Sequence, residues 1–232
     1  MSTVNEKMTA IADNIRSYTG DTEKLSLDDM AENIEKVYEA GQNSGGNYEE
    51  IYLAGQKSIF ERIQDGGKTQ NYYYAFAYDR FDDTNYFPVG AIKCSNGTTP
   101  GQYMFYNATG LTDTKVEIVA NSNNINYAFS LSGLVTIRKL TVYESTTFSN
   151  TFNGCRDLIN ILFGGTIGKA ISFKDSSKLS DESVDSIIEH LKDLTGGTSL
   201  ALTVHADVYD RMVARGIDAL VTAKNWTLVE AQ

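Results

Sequence analysis

The chain has 232 residues, 41% of them hydrophobic, with 19 glycines and only 2 prolines, so it is long enough to bury a core and is turn-rich rather than low-complexity. A formal net charge of −10 opposes any sequence-independent grip on nucleic-acid phosphates or anionic lipid, and there is no apolar run of about 18 residues, so neither nucleic-acid binding nor membrane insertion is expected. Up to Asp65, 13 Asp and Glu stand against 6 Lys and Arg, which reads as a solvated helical face.

From Thr3 to about Tyr18 the apolar residues Val4, Met8, Ile11 and Ile15 recur at spacings of four and three. With Thr3 and Glu6 as a capping box, this predicts an amphipathic helix closed by Gly20. A second helix is predicted from Ser26, with Leu25 and Met30 placed as a hydrophobic staple, a stripe of Met30, Ile34, Val37 and Tyr38, and a stop at Gly41. A third runs from Asn47 with Tyr48, Ile51, Tyr52, Gly55, Ile59 and Ile63 on one side and stops before Gly66-Gly67. Its near-heptad stripe serves either packing on the rest of the chain or self-association. Residues 1–65 are therefore expected to form a helical attachment or assembly region, with a homo-oligomer through these helices left open. Met1 to Lys7 lacks a basic stretch followed by an apolar one, so no secretory signal is expected.

The next stretch is aromatic. At a period of two, Tyr72, Tyr74, Phe76 and Tyr78 would share one face of a strand, either as a sugar-stacking platform or as a cap on the elements that follow, with the cap the preferred reading. Residues 88–107, with Ser95-Asn96-Gly97-Thr98-Thr99-Pro100-Gly101, read as a hairpin. Residues 66–101 together are expected to be this N-terminal cap.

From about Gln102 to Phe173 three segments echo one another at a period near two dozen residues. Phe105, Phe129 and Phe152 each precede a small polar turn. After the turns come the apolar pairs Val116/Ile118, Leu140/Val142 and Ile161/Phe163, and then the single apolar residues Ile125, Phe148 and Ile171. Each unit cannot bury its apolar edge alone, so stacking is predicted, as a solenoid over residues 102–175. With the pairs pointing inward, Lys115, Glu117, Lys139, Thr141, Tyr143 and Asn160 should line the outer strand face, the first candidate for ligand binding. From Ser180 a capped helix carries Val184, Ile187, Ile188, Leu191 and Leu194 and is expected to end at Gly196 or Gly197. A strand over Leu200 to Val204, helix from Ala206 to Asn225 interrupted at Gly216, and a strand over Trp226 to Val229 complete residues 176–232, with Trp226 the largest buried group.

At these positions the chain resembles the BspA-type leucine-rich repeat, an aromatic after a small residue, a Gly-Cys or Gly-Ser turn, and then Leu-x-x-Ile-x-Ile. The third unit, Thr151-Phe152-Asn153-Gly154-Cys155-Arg156-Asp157-Leu158-Ile159-Asn160-Ile161-Leu162-Phe163, carries it best. The second matches as Ala128-Phe129 and Ile137-x-x-Leu140-x-Val142, and the first departs at Asp113. The resemblance covers about a third of the chain. The flanks, Met8 to Arg16, Leu25 to Ile34, Asn71 to Ala77 and Lys224 to Leu228, are similar to segments of phage or prophage tail and baseplate proteins of gut Gram-positive bacteria. The fold class these likenesses imply is α+β: N-terminal helices, a short BspA-type leucine-rich-repeat β-solenoid and a C-terminal α/β cap.

No nucleophile with a base, acid pair or phosphate loop is found, and Gly164-Gly165-Thr166-Ile167-Gly168 lacks the Lys-Ser/Thr that a phosphate loop needs. Cys94, Cys155, His190 and His205 come singly from four segments, without the paired spacing of a zinc site, and Cys155 reads as a buried thiol. Asp79, Asp82 and Asp83 lack the glycine and distal Glu of a calcium loop. No catalytic residue, metal or cofactor is expected. The function expected is that of a non-enzymatic structural or binding protein, associated with a phage or prophage tail and presenting a repeat surface to a protein or glycan on a host cell. The alternative is a BspA-like bacterial adhesion protein. Its location would be the virion, or the cytoplasm before assembly, or the cell surface where a signal has been removed.

Overall fold

The computed structural model describes residues 69–78, 81–88, 90–121 and 124–231. By internal contacts the chain divides into Met1–Gly55 and Gln56–Gln232, and every described residue belongs to the second unit. The three helices expected over residues 1–65 lie outside the described residues.

Apolar side chains recurring about two dozen residues apart meet their counterparts in neighbouring strands. β1 (Ile92–Lys93), β2 (Glu117–Val119), β3 (Thr136–Val142) and β4 (Asn160–Gly165) form one parallel sheet in chain order. Its register aligns Ile92 with Ile118, Ile118 with Leu140, and Leu140 with Phe163, all buried. β3 carries one extra residue against β4 between Ile137 and Leu140, a bulge that turns Arg138 and Lys139 outward together. In the first unit Val116 falls before β2 and is only half-buried, while Ile118 and Ala120 are fully buried.

The turns stack as well as the strands. Phe76, Phe105, Phe129, Phe152 and Phe173 form a buried column, with successive ring centroids 4.9, 5.7, 5.5 and 4.5 Å apart and near-parallel planes. Alternate backbone N–H groups of each turn donate to carbonyls of the next: Tyr103 to Asn126, Phe105 to Ala128 and Asn107 to Ser130, then Tyr127 to Ser149, Phe129 to Thr151 and Leu131 to Asn153. The intervening N–H groups, such as those of Ala128 and Ser130, bond within their own turn. The buried turn backbone is thereby paired without regular secondary structure.

The fold class differs from the expected α+β arrangement of one solenoid and its caps. The described residues are mixed α/β: two small parallel sheets and three helices. The division falls inside the third repeat. Ile171, assigned to that repeat by its apolar pattern, begins β5 (Ile171–Phe173), which pairs with β6 (Leu200–His205) rather than with β4. β7 (Trp226–Ala231) completes the second sheet in the order β5-β6-β7. The strand expected over Tyr72 to Tyr78 is a turn, because Tyr74 and Tyr78 take left-handed backbone angles, φ 55° and 61°, that no strand accommodates. The hairpin expected over residues 88–107 is absent too, since β1 pairs in parallel with β2.

Helix α1 (Asp181–His190) stops well before Gly196, and Leu191 turns into a parallel bridge with Ile167. It covers the open edge of the first sheet, where strand N–H groups would otherwise lack partners. Ser183 Oγ accepts from Ile161 N at 2.8 Å and Ser186 Oγ accepts from Phe163 N at 2.9 Å. Helices α2 (Ala206–Ala214) and α3 (Asp218–Ala223) connect β6 to β7. Lys224 Nζ then donates to the carbonyls of Ile188, Glu189 and Leu191, satisfying the C-terminal end of α1. Buried Trp226 donates its indole N–H to Lys192 O. Replacing Ser183 by Ala leaves the Ile161 N–H buried and unpaired, with an expected cost of about 1–3 kcal/mol read from urea denaturation. A change of only a few tenths of a kcal/mol would show that the edge finds another partner.

Candidate ligand surface

The six outward residues expected at the sheet do not converge. Glu117 and Lys139 face each other in register, Thr141 Oγ1 donates to Glu117 Oε1 at 2.6 Å, and Lys139 Nζ lies 3.3 Å from the same oxygen. These bonds, the Thr141 hydroxyl first, hold the Glu117 carboxyl below the usual carboxylate range. Lys139 and Thr141 also cover Gly164, where a Cβ would meet Thr141 Oγ1 at 2.5 Å and Lys139 Cε at 2.8 Å. Lys115 is turned away from them. Its Nζ donates to Asp83 O at 3.0 Å and Tyr86 O at 2.9 Å and lies over the Tyr86 and Phe87 rings. Asn160 is exposed at the start of β4, opposite Thr136. Tyr143, 50% exposed, lies past the other end of β3 and lines an open cavity of about 400 Å³ with Asn96, Asn121 and Ser145. The strand face thus holds one satisfied polar cluster, with the remaining residues dispersed around it.

A second surface is better organised. Two residues before Phe76, Phe105 and Phe129 stand Tyr74, Tyr103 and Tyr127, and the turn geometry places the phenylalanines inside and leaves the tyrosines half-buried at the surface. Tyr74 stacks on Tyr103 with centroids 4.6 Å apart and planes 9° apart, and Tyr103 on Tyr127 at 4.9 Å and 1°. Tyr78 lies parallel to Tyr74 at 6.1 Å, Tyr73 meets Tyr74 and Tyr103 edge-on, and Tyr106 meets Tyr74, Tyr78 and Tyr103 edge-on. Tyr73 and Tyr78 are 46% and 44% exposed. In the turn after Tyr127, that of the third unit, Asn150 takes the tyrosine position, and its Nδ2 donates to the Tyr127 hydroxyl at 2.9 Å. Loss of water around the rings, and then the neighbouring phenols, hold the Tyr74 and Tyr103 hydroxyls above the ordinary tyrosine range, so they stay neutral donors and acceptors.

The backbone under this ridge is unusual. Tyr74, Tyr103, Tyr127 and Asn150 have φ of 55°, 54°, 58° and 52°, a region that tyrosine rarely enters. Asn150 makes the same turn without an aromatic ring, so the turn itself does not require tyrosine. The signal is present in the sequence as Tyr-x-Phe in three successive units, where the phenylalanines alone suffice to mark the repeat and so mask their companions. Of the aromatic stretch, Tyr72 and Phe76 are buried, and Tyr74 and Tyr78 belong to the ridge.

Cys94 and Cys155 are both buried, and burial pushes each thiol up to about 12; Cys155 Sγ donates to Phe129 O. Asp82 Oδ1 accepts from the Thr84 and Asn85 amides and Asp83 holds Thr112, so these carboxylates are used in shaping loops, and Asp79 lies outside the described residues. Among the described residues, no group of three or more His, Cys, Asp and Glu could hold a metal, and no helix is long and apolar enough to cross a membrane. Comparison of the chain with protein-family models, with curated proteins and with solved structures returns no match.

Proposed function

We propose that the chain is a non-enzymatic binding protein that presents the tyrosine ridge to a ligand on a cell surface, in the setting of a phage or prophage tail. The observation that carries this reading is the column of Tyr74, Tyr103 and Tyr127, flanked by the exposed rings of Tyr73 and Tyr78. Exposed tyrosines combine large contact area with little side-chain entropy to lose, which suits recognition. The ridge offers phenols and carboxamides, with neither a nucleophile and its base nor a pair of acids, so its chemistry is that of holding a ligand. The tail setting rests on the likeness of the flanking segments. The likeness of Thr151 to Phe163 to BspA-type repeats supports a second reading, a cell-surface adhesion protein using the same ridge.

The test is cosedimentation of the full chain with intact cell walls of gut Gram-positive bacteria. Tyr73→Ala combined with Tyr78→Asn removes both exposed rings, and asparagine suits the Tyr78 backbone because Asn107 takes the same conformation in the next turn, with φ 53°. The expected result is wall binding by the parent and a loss of about tenfold or more in the variant at unchanged urea midpoint. Absence of wall binding by the parent, or equal binding by the variant, overturns the reading. Light scattering separates the two settings: a trimer favours the tail component, a monomer the adhesion protein.

A further inference from the structure

We infer that the ligand of the ridge is a neutral polysaccharide lying along the tyrosine column, an inference that rests on the ridge being the binding surface. Charge is the first argument. The segments that build the turns and their approaches, residues 69–78, 94–112, 118–137 and 145–155, contain no Asp, Glu, Lys or Arg. Charged side chains of the same units, such as Lys115, Glu117, Arg138 and Lys139, fall in and beside the strands. An anionic wall polymer would need Arg or Lys to receive it and would meet a chain of net charge −10, so acidic glycans are disfavoured. Tyrosine is also enriched at protein hot spots, so a protein epitope is the alternative that protease digestion of the walls separates.

Ring geometry is the second argument. Tyr74, Tyr103 and Tyr127 cover one another's faces, so the column turns its edges outward. The phenol hydroxyl both donates and accepts, and the Asn150 carboxamide extends the row beyond Tyr127. Tyr73 meets Tyr74 and Tyr103 edge-on, Tyr78 is offset from Tyr74, and both rings are exposed. A pyranose has the complementary make-up: a C–H face that packs on an aromatic ring and a rim of hydroxyls that exchange hydrogen bonds.

The third argument is repetition. The rungs are 4.6 and 4.9 Å apart, the spacing that parallel strand pairing imposes, so identical groups recur along one line. A polymer of identical neutral units matches that line, whereas a compact epitope would not. Tyrosine occupies a costly left-handed position in three consecutive turns where asparagine suffices in the fourth, so the half-buried phenols are not there to satisfy the backbone.

The experiment applies the full chain to an array of neutral and acidic bacterial surface polysaccharides, and in parallel to cell walls before and after protease digestion. Tyr103→Phe combined with Tyr127→Phe keeps the stack and removes two hydroxyls. The expected result is binding to at least one neutral polysaccharide, wall binding that survives protease, and a loss of about tenfold in the double variant. Wall binding that depends on Tyr73 and Tyr78 but disappears with protease keeps the ridge as a binding surface and overturns the glycan. Binding confined to acidic polysaccharides, or to none on the array, also overturns it, as does a double variant that binds like the parent.

Discussion

Replacing Phe129 by Ala is expected to destabilise the protein by about 3–5 kcal/mol, the usual cost of emptying a buried aromatic site. The ring is fully buried, with Phe105 at 5.7 Å on one face and Phe152 at 5.5 Å on the other. Neither neighbour can fill the gap easily, because each is fixed by its own stack, Phe105 against Phe76 and Phe152 against Phe173. The backbone resists collapse as well, since the Phe129 N–H donates to Thr151 O and its carbonyl accepts from the Cys155 thiol of the next unit. For a domain whose whole stability is about 5–15 kcal/mol, this is a large fraction. Phe129→Leu, which keeps most of the volume, should lose much less. Urea denaturation checks both: the midpoint should fall at unchanged slope for Ala, and a loss below about 1 kcal/mol would show that the column is not a continuous core.

The same column explains how much of the molecule was legible beforehand. Phe105, Phe129 and Phe152, and the row Ile118, Leu140 and Phe163, are readable because burial repeats with the chain's own period and the pairing aligns these residues from strand to strand. The end of the first sheet was not readable. Ile171 offers the same apolar side chain to either sheet, and its pairing with Leu202 in β6 depends on a strand that lies beyond helix α1. Tyr72 to Tyr78 misled for a local reason. Alternation of aromatics imitates a half-buried strand, but left-handed angles at Tyr74 and Tyr78 put Tyr72 and Phe76 inside and leave the other two at the surface. Where the outer strand side chains go was not readable either, because hydrogen bonding competes with exposure: Lys115 is used on backbone carbonyls, and Glu117 on Thr141 and Lys139. The ridge was within reach of the sequence through its Tyr-x-Phe spacing, and its left-handed backbone was not.

At Gly165 two separate penalties fall on any side chain, and Gly165→Ala is expected to cost at least about 3 kcal/mol. Its φ of +76° disfavours every residue with a Cβ, and the Cβ of alanine would collide with the carbonyl oxygen of Val142, its partner across the β3–β4 ladder. Relief would require the two strands to separate where β4 ends, beside the point at which the chain leaves the first sheet for β5. Gly196 supplies the control. It has nearly the same angle, +80°, and no atom lies within 4 Å of where its Cβ would sit, so Gly196→Ala should carry the backbone strain alone, about 1–2 kcal/mol. The difference between the two variants in urea midpoint therefore measures the collision, free of the strain they share. If Gly165→Ala is no more destabilising than Gly196→Ala, the strands part there at little cost, and close packing of β3 on β4 is not what closes the first sheet.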